Sequence, residues 1–158
     1  MVADMTPIIR LYRPDDLDGL IAVFLAAIRQ TASKDYMPAQ IDAWARPDRA
    51  IWAERRASRP TWVAEIGGRP AGFTDLEPDG HIDMLYVHPE FQRQGVAAHL
   101  LDRVESSARL QGLQSIYSEV SLTARPAFEK AGFAVVAPER VLRNGQWFDR
   151  FRVEKRLG

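Results

Sequence analysis

The stretch "YVHPEFQRQGVAAHLLDRVESSARLQG", Tyr86 to Gly112, passes from strand character to helical character through Gly95. Val96, Leu100, Leu101, Val104 and Ala108 form one apolar face of the helical part, and Gly112 ends it. The first amides of a helix have no internal acceptor and together carry roughly half a positive charge, so an anion placed there meets unpaired donors and a favourable dipole. Gly95 lets a ligand approach the backbone, and the small side chains of Ala97 and Ala98 leave the approach clear. The whole run Gln92, Arg93, Gln94, Gly95, Val96, Ala97 and Ala98 is therefore read as a cradle of backbone N–H groups for a pyrophosphate.

A chain of 158 residues with 46% hydrophobic composition can bury a core and is expected to form one domain over residues 1–158, with its ordered core at about 8–157. Its 21 basic and 21 acidic residues balance, so no overall field favours nucleic acid or an anionic membrane. The absence of cysteine removes disulfides, thiolate nucleophiles and Cys-ligated zinc. No metal is expected. The longest apolar run, around Leu20 to Ile28, is too short to span a bilayer, and "MVADMTPIIR" lacks the basic start and apolar stretch of a leader. The cytoplasm is the expected compartment, for a monomer or a homodimer.

Periodicity supplies the elements. "IIRLYR" (Ile8 to Arg13) alternates as a strand, and Leu17, Leu20, Ile21, Phe24, Leu25 and Ile28 recur at helical spacing after Pro14, Asp15 and Asp16. Pro38 and Pro47 each stand where a short helix begins, in a region carrying Tyr36, Trp44 and Trp52. "TWVAEI", Gly67-Gly68 and "AGFTDLEP" make a hairpin, and "HIDMLYV" is a third meander strand after Asp79-Gly80. "QSIYSEVS" is the next strand, and "TARPAFEKAG" a short helix capped by Thr123 and stopped by Gly132. The tail forms two strands joined by Asn144-Gly145. Its cluster Arg150, Arg152, Lys155 and Arg156 alternates with apolar residues as an edge strand would, which argues against a nucleic-acid surface. Condensed, the order is β-α-α-β-β-β-α-β-α-β-β. It predicts an α/β (α+β) fold: a mixed, mostly antiparallel sheet of about seven strands with helices on both faces.

"Gln92-Arg93-Gln94-Gly95-Val96-Ala97" resembles the Arg/Gln-x-x-Gly-x-Gly/Ala signature of the GCN5-related N-acetyltransferases, and "ARPAFEKAGF" is similar to that family's second signature. The resemblance in element order covers nearly the whole chain. It implies the acetyltransferase fold, acetyl-coenzyme A as co-substrate with its pyrophosphate on Gln92 to Ala98, and a pantetheine arm paired with the strand at Leu85 and Val87. Ser121 then stands where the family usually has an asparagine, and Phe128 where it often has the tyrosine that protonates the departing thiolate.

Acetyl transfer to an amine needs an uncharged nitrogen and a proton for the leaving thiolate. His81 and Asp83, two apart on the expected third strand, share a face and are the candidate bases; Glu119 and Tyr117 on the neighbouring strand are rivals. Tyr36 and Trp44 are the candidate acceptor-site residues, while Trp52 and Trp62 are expected in the core. Asp35, Asp42 and Asp48 are available to an amine, so a small-molecule amine is the expected acceptor. A coenzyme A-binding sensor or scaffold module of the same fold is the alternative, with Phe128 as its argument.

Overall fold

The computed structural model describes residues 6–158; residues 1–5, part of the stretch read for a leader, lie outside them. β1 (Ile8–Leu11) is followed by α1 (Leu17–Ala26), α2 (Pro38–Trp44) and α3 (Arg49–Ser58), then β2 (Thr61–Ile66), β3 (Arg69–Asp75) and β4 (Leu85–Val87). α4 (Val96–Leu110), β5 (Ser115–Ser121), α5 (Arg125–Lys130), β6 (Ala134–Arg143) and β7 (Gln146–Arg156) complete the chain. The condensed order allowed two helices between β1 and β2, whereas α1, α2 and α3 all lie there.

Local chemistry accounts for most boundaries. Pro38 opens α2, but α3 begins after Pro47, because the Asp48 carboxylate accepts from the Ile51 amide at 3.1 Å and caps it. At α5 the expected cap, Thr123, donates instead to Asp35 Oδ2 (2.8 Å), and Ser121 Oγ accepts the Ala124 amide (3.0 Å). Gly67 and Gly68 turn the β2–β3 hairpin with φ of 57° and 76°, and Asn144 and Gly145 turn β6 into β7 with φ of 47° and 80°.

The strands form two antiparallel sheets, ordered β1-β2-β3-β4 and β5-β7-β6. β7 lies at the centre of its sheet and β6 at the edge, which reverses the edge reading of the tail. Its basic residues have partners: Arg150 pairs with Glu139 (2.9 Å), Arg152 lies 4.4 Å over the Tyr117 ring, and Lys155 reaches Glu105 and the Ala131 carbonyl, both at 2.7 Å.

One parallel bridge, His81 to Tyr117, joins the sheets. Ile82 N–H donates to Tyr117 O (2.8 Å) and Tyr117 N–H to Gly80 O (3.0 Å). Ser118 Oγ then donates to Ile82 O (2.6 Å), and beyond that point β4 and β5 are not paired. Helices cover both faces. α4 and α5 enclose a core with Leu100, Val104, Ile116 and Phe128, while α1 to α3 enclose another with Leu20, Ile28, Trp52 and Phe73. Trp52 and Trp62 are buried, as expected. α4 sits close on β3 because Gly72 has no side chain: a Cβ there would stand 2.8 Å from Val96 Cγ1 and 2.8 Å from Tyr86 O.

Candidate active site

Where the two sheets part, they leave a cleft of about 780 Å³. Its first wall is the free edge of β4. Tyr86 pairs with Phe73 and His88 N–H donates to Ala71 O (2.8 Å), so the alternate residues Leu85 and Val87 turn their amides and carbonyls toward the gap. Leu85 and Val87 both line the cleft, as do Gln92, Arg93, Gly95, Val96, Ala97 and Ala98; Gln94 lies off its wall.

The second wall is the start of α4. Its first bond runs from His99 N–H to Gly95 O (3.0 Å), and among the described residues the amides from Arg93 to Ala98 have no protein acceptor. Left-handed backbone at Arg93 (φ 63°) and Gly95 (φ 78°) is the geometry that gathers successive N–H groups into one concavity. His99 donates from Nδ1 to the Gly95 carbonyl (2.7 Å), which fixes its tautomer because a carbonyl can only accept. Gly95 cannot be replaced without strain: besides its φ, a Cβ would come 3.3 Å from that imidazole.

The segment read as a third strand departs from expectation. Only Leu85–Val87 is strand; His81–Met84 is an irregular crossing. Asp75, buried at the end of β3, takes over the ladder there. Its Oδ1 accepts from the amides of Asp83 (2.8 Å) and Met84 (3.1 Å), and its Oδ2 accepts from Arg56 Nη2 (2.9 Å). Thr74 Oγ1 donates to Met84 O (2.8 Å). Burial pushes the Asp75 carboxyl up, against the Arg56 charge and the two amides that pull it down. Both Arg56 and Asp75 side chains are fully buried.

His81 and Asp83 line the cleft but face different partners. Asp83 stands 3.7 Å from Arg59 and 4.0 Å from Arg56. The His81 ring lies between two carboxylates: Nδ1 meets Glu77, and Nε2 is 2.9 Å from Glu119 Oε2. Arg59 holds Glu77 in turn at 2.7 Å. Burial alone would lower the His81 pKa, but the hydrogen bonds and charges of Glu77 and Glu119 outweigh it and hold it above the ordinary histidine value. Tyr117, against the His81 ring, donates its hydroxyl to Asp79 and does not line the cleft.

Phe128 is buried on the cleft wall, edge-on to Phe133 with centroids 5.1 Å apart, and Ser121 lines the cleft nearby. Since Ser121 Oγ accepts from Ala124, its own proton is left to donate. Tyr36 and Trp44 line the opposite end. The Tyr36 hydroxyl donates to Asp149 O (2.8 Å) and accepts from Leu122 N–H (2.9 Å), while Trp44 Nε1 donates to the Tyr86 hydroxyl (3.3 Å). Tyr86, Val141, Arg143 and Phe148 complete that end, and sequence reasoning missed all four. Asp35, Asp42 and Asp48 do not line the cleft. Among the described residues, no helix is long and apolar enough to cross a membrane.

A sheet opened at one end, beside a helix start whose amides are free, is the architecture of an acetyltransferase. The chain belongs to the GNAT family: the acetyltransferase (GNAT) domain matches residues 32–155. It is 41% identical over 143 residues to the uncharacterized N-acetyltransferase YafP of Escherichia coli (strain K12), covering 90% of this chain and 91% of that one. The GCN5-related N-acetyltransferase from Rhodopseudomonas palustris superposes with a TM-score of 0.92 at 35% identity, covering 99% and 98% of the two chains. PaiA N-acetyltransferase from Thermoplasma acidophilum, solved with coenzyme A, shares the fold with a TM-score of 0.73 at 21% identity, over 96% and 99%.

Two predictions concern the crossing. Asp75→Ala leaves Arg56 buried without its carboxylate and should cost about 3–5 kcal/mol, measured by chemical denaturation. The raised His81 pKa means that the folded state binds its proton more tightly than the unfolded chain does. The extra stability of wild type over His81→Gln is therefore fully present below about pH 6.5, the ordinary histidine value. It should fade as pH rises through the higher folded value, read as a shrinking difference between the two denaturation midpoints.

Proposed function

We propose that this protein transfers an acetyl group from acetyl-coenzyme A directly to a primary amine of a small molecule, with both substrates bound together. The observation that carries this reading is the continuity of the free β4 edge with the unpaired amides of Arg93 to Ala98 along one cleft. An arm built of amides requires a strand edge, and a pyrophosphate requires converging N–H groups; the cleft offers both in that order.

When bound, acetyl-coenzyme A supplies the thioester whose acyl group is transferred. Leu85 and Val87 offer backbone donors and acceptors to its pantetheine arm, Ser121 offers a hydroxyl, and the start of α4 holds the pyrophosphate with Gly95 as the point of closest approach. Gln94, off the wall, contributes only through the backbone of that turn. Phe128 and Val96 give the acyl end an apolar wall. Holding the two reactants side by side supplies much of the acceleration.

The attacking amine must lose a proton, and the His81–Glu119 pair is placed to hold it. Both His81 nitrogens face carboxylates, so the ring favours the imidazolium form, which has no lone pair to offer. Glu119, on the cleft wall, accepts the amine proton, and His81 steadies the carboxylate and shares the charge. Asp83, opposite two guanidinium groups, orients the crossing. Phe128 has no proton to give, so the departing thiolate takes one from solvent.

A coenzyme A-binding module that does not turn over is the second reading, favoured by Phe128 alone. Thiol release over a panel of amines, alongside calorimetric binding of acetyl-coenzyme A, separates the two, because binding with no turnover on any amine sinks the enzyme reading. Gly95→Glu should weaken acetyl-coenzyme A binding at least tenfold, or about 1.4 kcal/mol, in a folded protein; unchanged affinity would remove the phosphate assignment. Glu119→Gln should lower turnover by roughly 10²- to 10⁴-fold with cofactor affinity retained. Wild-type turnover in that variant moves the base elsewhere.

A further inference from the structure

The acceptor end of the cleft is walled by aromatic rings and carries a free cation. Trp44 stands 5.5 Å from Tyr36, 6.1 Å from Phe148 and 6.4 Å from Tyr86, measured between centroids. Arg143, the last residue of β6, places its guanidinium 5.7 Å over the Phe148 ring. Among the described residues the Arg143 guanidinium has no hydrogen-bond acceptor and no carboxylate within 4.0 Å, whereas Arg150, which also lines the cleft, is engaged by Glu139. A second donor faces the same space. The Tyr86 hydroxyl accepts from Trp44 Nε1, and its own proton has no acceptor among the described residues. Burial pushes the Tyr86 pKa up to about 12, so that proton stays in place at neutral pH. The Arg143 charge favours the ionised form of both the Tyr86 and Tyr36 hydroxyls, against Asp83 and Asp75 at Tyr86 and Asp35 and Asp149 at Tyr36.

The acidic side chains that line the cleft belong to other elements, Asp83 to the crossing, Glu119 to β5, and Asp102 and Glu105 to α4. Asp35 and Asp48 are spent on Thr123 and on the cap of α3. The acceptor end thus offers apolar walls, a planar cationic fork and a neutral hydroxyl donor, a set that suits a carboxylate attached to an apolar group.

Resting on the acetyl-transfer reading, we propose that the acceptor is an amine that also bears a carboxylate, held by Arg143 and Tyr86, with its apolar part between Trp44 and Phe148. This arrangement directs the amine toward Glu119. The nitrogen–acyl bond forms as the carbon–sulfur bond breaks, the amine proton passes to the Glu119–His81 pair, and the thiolate leaves with a proton from solvent.

The test uses matched pairs that differ only in the carboxylate: phenylalanine with phenethylamine, and 4-aminobutyrate with propylamine. Wild type should prefer the acid of at least one pair by tenfold or more in kcat/KM. Arg143→Ala should bring that ratio close to one, and Arg143→Lys should restore part of it, with acetyl-coenzyme A affinity and thermal unfolding unchanged in both. A wild-type ratio at or below one in both pairs, or a ratio that Arg143→Ala leaves intact, overturns the proposal. So does an absence of turnover on every member. Calorimetry on the same protein tells that last result apart from failure of the acetyl-donor reading, which predicts loss of acetyl-coenzyme A binding as well.

Discussion

The cleft depends on one buried ion pair. Arg56 comes from α3 and Asp75 from the last position of β3; neither side chain is exposed to water, and they meet at 2.9 Å. A charge pair in such a place gains little stability by itself, because desolvation offsets most of the attraction. Its effect is geometric. With one oxygen committed to Arg56, the other oxygen of Asp75 receives two successive amides of the crossing, so the chain leaves the β3 ladder there and rejoins it only at Leu85. That detour sets where β4 begins and brings His81 to Tyr117 on the other sheet. Asp75 accordingly determines both the junction of the sheets and the place where they part.

Much of this was legible in the sequence, and the reasons differ by element. The helix from Val96 to Leu110 carries an uninterrupted apolar face and a glycine at its start, so both its type and the place where it begins follow from spacing. The hairpins follow from Gly67-Gly68 and Asn144-Gly145, whose conformations few other residues adopt. The crossing could not be read in this way. "HIDMLYV" alternates as well as any strand, and only a side-chain acceptor distant in sequence converts half of it into irregular chain. Arg56, set among Glu54, Arg55 and Ser58, has the local look of a solvent-facing helix residue, yet it is buried because Asp75 faces it across the core. The end of the cleft around Trp44 was hidden for a related reason. Arg143 and Phe148 belong to the β6–β7 hairpin, and their approach to α2 is a tertiary fact with no local signature.

The group between the sheets also differs from a simple histidine base. A single imidazole on a strand would titrate near neutrality, but His81 is closed in by Glu77 and Glu119, and Arg59 links Glu77 to the cluster around Asp75. The charges from α3 to β5 thus form one chain of contacts, with the carboxylate at its far end, Glu119, on the cleft wall. Protonation at the cleft and the fit of the crossing are consequently two aspects of one network.

Gly72 has a further consequence. It lies in the interior of β3, touches nothing that would be bound, and contributes only the missing volume into which Val96 settles. It therefore works as a spacer of zero thickness between sheet and helix. The reach from the β4 edge to the open amides of α4 is set by that spacer, so the span of the cleft is fixed from behind its wall, by a residue that does not itself line it.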